Sequence, residues 1–152
     1  MNFFLDTNAV IKIYHEETGT KVLSAFLKRY APNLILTISD LTPIEFRSSF
    51  LRLARTGEAD LIMVHEIFRH FDADITRFNI IKIEKDVKTF AIHLLESFAY
   101  RRSLRTLDAL QLSAALFSHQ ILCIDRFVSS DKKLLSVAEE FFTIFNPEDE
   151  EV

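Results

Sequence analysis

Short runs of Phe, Leu, Ile and Val alternate with longer stretches of helical periodicity along the whole of this chain, and no Asn-Gly or Gly-Gly pair joins any two of them. Asn2-Phe3-Phe4-Leu5 reads as a buried strand, followed by helical pattern over about 8–30 that breaks near Gly19. Leu34–Ile38 reads as a second strand, followed by helices over about 42–56 and 58–76, with Gly57 between them. Asn79–Ile83 is a third strand, with helices at about 85–101 and 105–119 after it. Arg126–Ser129 is a fourth strand, a helix follows near 131–140, and Phe142–Phe145 is a short last strand. Strands separated by helices need crossover connections, and crossovers make parallel sheets. The pattern therefore predicts a three-layer α/β/α sandwich around a central, mostly parallel sheet. In such sheets ligands bind beyond the carboxyl ends of the strands, where the strand order reverses.

The bulk composition agrees. A chain of 152 residues suits one domain, and with 49% hydrophobic residues, 15 of them Phe, a large single core is available. A chain of this size buries roughly 70% of the surface its unfolded form exposes. Two glycines and three prolines argue against hairpin-rich or disordered architecture. No apolar run approaches the roughly 20 residues of a membrane helix, and the N-terminus has no basic and apolar leader pattern. The single Cys123 can form no internal disulfide, so a reducing, cytoplasmic setting is expected. The net charge of −4 is concentrated at the end, where residues 147–152 carry four acids and no base. Without them the remaining acids equal the 18 Lys and Arg in number. The expected organisation is one domain over 1–146 and an acidic tail over 147–152.

Four acids fall at strand-to-helix junctions or at the start of a buried helix. Asp6 follows Phe3-Phe4-Leu5 directly and opens Asp6-Thr7-Asn8. Glu45 lies in Thr42-Pro43-Ile44-Glu45 just after the second strand, a match to a capping box with Pro at the first helical position. Asp108 is the only charge between Leu107 and Phe117, and at helical spacing it shares a face with Leu104, Leu112 and Ala115. An isolated carboxylate in so apolar a helix costs several kcal/mol, on the order of the effective burial penalty, unless a cation or donors compensate it. Asp131 starts the helix after the fourth strand. Each acid also fits a structural role: Asp6, Glu45 and Asp131 as helix caps, Asp108 as a cap or a partner of Arg101, Arg102 or Arg105. Asp40 and Asp125 lie near other strand ends but lack a matching pattern. If the four converge on one sheet edge, their mutual repulsion disfavours ionisation. A hard divalent cation resolves it, and all-oxygen ligation suits Mg²⁺ or Mn²⁺. Such a cluster points to metal-assisted phosphodiester hydrolysis.

The segments Phe4–Ile11, Ile44-Glu45-Phe46, Arg105–Leu112 and Phe127–Leu134, in this order and spacing, resemble the PIN domain, and most closely the VapC-like toxins of toxin–antitoxin pairs, over about residues 1–145. The resemblance implies an α/β/α sheet, Mg²⁺- or Mn²⁺-dependent ribonuclease activity on RNA, frequent homodimers and a small neutralising antitoxin partner. It maps the family's acidic quartet onto Asp6, Glu45, Asp108 and Asp131, of which the fourth position varies most among relatives. Ser129 or Ser130 supplies the small supporting polar residue, and Asn8 assists the first acid. The acidic tail is not part of the family pattern.

Other chemistries find no support. With Gly19 and Gly57 as the only glycines there is no phosphate-binding loop. The five histidines show no paired metal spacing, and one cysteine makes zinc chemistry improbable. No nucleophile-elbow sequence supports a Ser–His–Asp triad. Arg47, Arg52, Arg55, Arg101, Arg102 and Arg105 are candidates for RNA phosphate contacts, Arg47 and Arg105 foremost, although each singly fits an ordinary solvated helix face. The rival readings are a non-catalytic PIN-like module that binds RNA or protein, a structure-specific DNA nuclease, and a phospho-acceptor receiver domain. Four acids disfavour the first, and the absence of basic DNA-clamping insertions disfavours the second. Asp6-Thr7-Asn8 lacks the adjacent acid pair required by the third.

Overall fold

In a computed structural model describing residues 1–149, five strands form one all-parallel sheet. The strands are β1 (Asn2–Leu5), β2 (Ile35–Ser39), β3 (Asn79–Ile81), β4 (Arg126–Val128) and β5 (Ile144–Phe145), in the order β3-β2-β1-β4-β5. From β1 the chain builds outward to β2 and β3, then returns to the other side of β1 for β4 and β5. The reversal therefore lies between β1 and β4, and a ligand crevice is expected at their carboxyl ends.

β1 is buried along its whole length, as a central parallel strand with both faces covered must be. Its side chains alternate between two cores. Phe3 and Leu5 join helices α1 (Thr7–Tyr14), α2 (Thr20–Tyr30), α3 (Thr42–Arg55) and α4 (Leu61–Asp74). Phe4 joins α5 (Lys85–Leu94), α7 (Thr106–Ile121) and α8 (Lys132–Ala138) on the opposite face. A π-helical turn over Leu95–Ala99 and the short α6 (Tyr100–Arg102) extend α5, until Ser103 at φ 54° ends it. The expected three-layer sandwich is the fold observed. Phe3, Phe4, Phe46, Phe50, Phe71 and Phe127 are fully buried, and Phe46 stacks on Phe71 at 4.3 Å between ring centres. These aromatic rings build the cores.

Element boundaries differ from expectation where side chains intervene. α4 starts at Leu61 rather than near 58, because Asp60 caps it by accepting the Ile62 and Met63 N–H groups. β3 ends at Ile81, and the Ile83 N–H turns to the Asp40 carboxylate instead. The capping box expected at Thr42–Glu45 does not form. Leu41 precedes α3 without a side-chain cap, and Thr42 and Glu45 bond elsewhere. Among the described residues no helix is long and apolar enough to cross a membrane.

The described part of the acidic tail, Pro147–Asp149, is tied to the domain; Glu150–Val152 lie outside the described residues. Gly19, at φ 84°, sits so close to the Pro147 carbonyl that a Cβ there would lie 2.9 Å from its oxygen. Glu148 reaches Lys12 at 2.8 Å, and Asp149 reaches Lys132 at 2.9 Å. Lys12 on α1 is almost wholly buried and shared between Glu148 and Glu17. Burial pulls its pKa down, but the two glutamates outweigh that and leave it above the ordinary lysine value. Removing both glutamates strands a buried charge, which costs about 3–5 kcal/mol, whereas an apolar replacement of the lysine removes the charge itself. Glu17→Gln/Glu148→Gln should therefore lose more stability in urea unfolding than Lys12→Met. The reverse order would refute a buried, charge-paired Lys12.

Candidate active site

A cleft of about 310 Å³ opens at the carboxyl edge of the sheet, and Asp6, Glu45, Asp108 and Asp131 all line it. The four come from separate stretches of chain. Asp6 ends β1 and precedes α1, Glu45 is in the first turn of α3, Asp108 is in the first turn of α7, and Asp131 precedes α8. The reversal of strand order between β1 and β4 brings them to one place. Asp40 and Asp125 do not line the cleft; they hold the Ile83 and Asn2 backbone N–H groups respectively.

Asp6 occupies an N-cap position, yet its side chain makes no cap hydrogen bond. Instead Oδ2 accepts from Ser129 Oγ at 2.9 Å and from Asn8 Nδ2 at 2.8 Å. Both side-chain donors end on Oδ2, and among the described residues no side chain donates to Oδ1. This carboxyl is raised to about 7: burial raises it most, the Ser129 hydroxyl and the Thr7 N–H pull it down, and the charges of Glu45 and Asp108 add to the rise. Of the two candidate serines, Ser129 is the one that touches Asp6. Ser130 gives its backbone N–H to Asn8 Oδ1 at 2.9 Å, and its buried hydroxyl has no hydrogen-bond partner among the described residues.

Gln111 is the residue that the sequence analysis did not single out. Fully buried one turn beyond Asp108, it accepts Ser39 Oγ at 2.8 Å. Its Nε2 reaches Glu45 Oε1 at 2.6 Å, Thr7 Oγ1 at 3.1 Å and Thr42 Oγ1 at 3.3 Å. Thr7 Oγ1 donates to the same Glu45 oxygen at 3.1 Å. One amide thus ties α7 to β2, α1 and α3 and fixes Glu45. The signal was available, since Gln111 follows Asp108 by three positions on the same face, and the other residues from Leu107 to Leu112 are apolar.

Asp108 and Asp131 carry out structural tasks as well. Asp108 Oδ2 accepts the Arg105 backbone N–H at 3.1 Å, as a first-turn acid does in a capping box. Asp131 Oδ1 accepts the Lys133 and Leu134 N–H groups and caps α8. Arg105 reaches both acids, Nε to Asp108 Oδ2 and Nη2 to Asp131 Oδ2, each at 3.3 Å. Arg52 and Arg105 line the cleft, but Arg47 does not. Arg47 is held at 2.6 Å by Asp72 and lies over the Phe68 ring, which directs its charge elsewhere.

The donor set suits a hard divalent cation: all oxygen, from four carboxylates, with one carboxyl raised by burial and by its neighbours' charge. Among the described residues no three His, Cys, Asp or Glu side chains clasp a single point. Gln111 and Thr7 hold Glu45, while the helix cap and Arg105 occupy Asp131. The acids thus share a cleft rather than a ready-made cage.

The PIN domain family model matches residues 3–140. FitAcB from Neisseria gonorrhoeae is similar in fold, with TM-score 0.70 and 17% identity over 97% of this chain and 99% of that one. VapBC2 from Rickettsia felis, bound to a DNA fragment of its promoter, gives 0.67 and 16% over 96% and 98%. A toxin–antitoxin complex from Klebsiella pneumoniae gives 0.61 and 16% over 95% and 96%. No curated protein matches.

The raised Asp6 carboxyl makes a pH prediction. Below its unfolded value near 3.8 the group is protonated in both states and costs nothing. As pH rises to about 7 the folded state must bind a proton or bury a charge, so stability falls, and above that the loss is constant. In EDTA, Asp6→Asn should equal the wild type in urea unfolding near pH 4 and exceed it above pH 7 by a few kcal/mol, at most about 4. A difference that is flat across this range would rule out a raised Asp6.

Proposed function

This chain belongs to the PIN domain family, and we propose that it is a Mg²⁺- or Mn²⁺-dependent endoribonuclease, the toxin of a type II toxin–antitoxin pair. The observation that carries this reading is the meeting of four acids, from four distant segments, in one cleft at the reversal of strand order. Asp6, Glu45, Asp108 and Asp131 would hold the cation. Bound there, such an ion would supply Lewis-acid stabilisation of charge on a scissile phosphate and a more acidic water.

The protein's own residues supply orientation. Ser129 and Asn8 fix the Asp6 carboxylate from β4 and α1, so that its other oxygen is available to the cleft. Gln111 and Thr7 fix Glu45 in the same way, leaving Oε2. The Arg52 and Arg105 side chains, on the wall of the same cleft, are the cations positioned to meet RNA phosphates.

The similar solved structures include a toxin–antitoxin complex, which supports a small antitoxin partner for this chain. Ile44 and Leu51 on α3 and Leu61, Ile62 and Met63 at the start of α4 are exposed, and they supply apolar surface for that partner or for a homodimer. Co-purification with the product of a neighbouring gene tests the partner, and light scattering tests the dimer.

Incubation with total RNA, with and without Mn²⁺, should yield defined new ends only when the metal is present. Asp108→Asn should keep the fold and cut no faster than buffer alone. Cleavage retained by that variant would remove Asp108 from the catalytic set, and RNA bound but left intact by the wild type would favour the non-catalytic binding module. Millimolar Mn²⁺ should also raise the thermal midpoint of the wild type, because a ligand held only by the folded state stabilises it, and should raise that of Asp108→Asn less.

A further inference from the structure

Three of the arginines that the sequence offers for phosphate contacts differ in how they are held, and of these Arg105 alone lines the cleft. Arg102 donates to the Ser136 carbonyl at 2.7 Å and to Glu140 at 2.8 Å, and lies over the Phe98 ring. Arg47 is held at 2.6 Å by Asp72 and lies over Phe68. Both have the short contacts of a settled charge-assisted hydrogen bond. Arg105 has neither feature. Its contacts to Asp108 and Asp131 are each 3.3 Å, long for such bonds, and its side chain is 73% exposed. Exposed ion pairs of this kind are weak and easily exchanged.

The location is what gives that weakness a use. Arg105 is the residue just before α7, and its backbone N–H makes the helix-start bond to Asp108 Oδ2 at 3.1 Å, a bond that does not depend on the longer contact of its Nε to the same oxygen. The guanidinium is therefore free to leave without unravelling the helix. It bridges two acids that belong to different helices and face the same cleft, at Oδ2 of each. Asp131 Oδ2, the oxygen not spent on capping α8, is one that a divalent cation would need, and the Asp108 carboxylate beside it keeps the Arg105 backbone N–H on Oδ2 when the guanidinium leaves. A monocation spread over a planar fork and a compact dication compete for these carboxylates, and in all-oxygen surroundings the dication interacts more strongly at short range.

We propose that Arg105 is an exchangeable counter-ion of the acid cluster: its guanidinium neutralises Asp108 and Asp131, gives way to a divalent cation held by these carboxylates, and on leaving meets an RNA phosphate. The inference rests on the metal-dependent reading above and adds a positioning residue to it. It also gives a reason for an arginine at this point of the cleft wall. The same charge that steadies two carboxylates becomes available to substrate only as those carboxylates take up metal, so that loading the site and binding the RNA backbone are coupled.

The test titrates Mn²⁺ alone into wild type, Arg105→Gln and Arg105→Lys, followed by the free-ion Mn²⁺ signal in electron paramagnetic resonance, with thermal midpoints checked at each step. With the competitor gone, Arg105→Gln should bind Mn²⁺ about three- to tenfold tighter, the range expected from losing two exposed ion pairs. In steady-state cleavage at saturating Mn²⁺, the KM for RNA should rise several-fold with a smaller change in kcat, and Arg105→Lys should recover part of both effects. Equal or weaker Mn²⁺ binding by Arg105→Gln overturns the exchange. Tighter Mn²⁺ binding with an unchanged KM overturns the phosphate contact. No Mn²⁺ uptake by any of the three proteins overturns the metal-site reading and the exchange with it, so the two failures are told apart.

Discussion

Burying a carboxylate at the end of the central strand is the constraint around which this molecule is arranged. Asp6 follows a strand whose every residue is buried, at the point where the strand order reverses, and it is itself nearly inaccessible. A charge in that position is tolerable only if donors or counter-charge reach it. The surrounding polar side chains, Ser129 from the end of β4 and Asn8 from α1, are placed to do so. They are not sufficient to return the group to ordinary carboxylate behaviour, because burial outweighs them and two further acids add to its effect. The site is thus held in a state that the addition of positive charge improves.

That charge balance extends into the rest of the fold through buried polar connections rather than through packing alone. Gln111 joins one layer of helices to the other across the carboxyl edge of the sheet, using both ends of one amide. A neutral group of fixed shape is well suited to this: it can accept from Ser39 while donating to Glu45, and it adds no further charge to a crowded cluster. Away from the site, the buried Lys12 with Glu17 and Glu148 repeats the logic with opposite sign, and it ties the start of the acidic tail to α1. The tail, for which the sequence suggested no role, has a structural one over its described residues.

The layers, the parallel sheet and the order of elements were legible in the sequence because they depend on periodicity and on the scarcity of glycine, both of which are local and one-dimensional. Boundaries were less legible where one side chain competes for a backbone group, as Asp60 does at α4 and Asp40 does after β3. The four acids were legible as a set, since each follows a strand or starts a buried helix. What they touch was not. Thr42 and Glu45 read as a capping box from spacing alone, but the tertiary partners Thr7 and Gln111, distant in sequence, take both side chains. Arg47 and Arg105 could not be ranked from sequence either. Asp72 on the neighbouring helix decides the fate of one, and the convergence of α7 with α8 decides that of the other.

The capping and functional readings of these acids, which compete when each residue is taken singly, are reconciled by the two oxygens of a carboxylate. Asp131 spends Oδ1 on the start of α8 and turns Oδ2 toward the cleft and Arg105. Asp108 uses Oδ2 for Arg105, Glu45 uses Oε1 for Gln111 and Thr7, and Asp6 takes both its side-chain donors on Oδ2. In each case one oxygen anchors the side chain to the scaffold and thereby fixes the direction of the other. Rotational freedom is removed before any ligand arrives, so less ordering remains to be done when one binds. For Asp108 and Asp131 a helix start is an apt place, because backbone N–H groups there supply the anchoring donors and the helix dipole favours the negative charge. Structural capping is the means by which Asp108 and Asp131 are held, while buried side-chain donors do the same for Asp6 and Glu45.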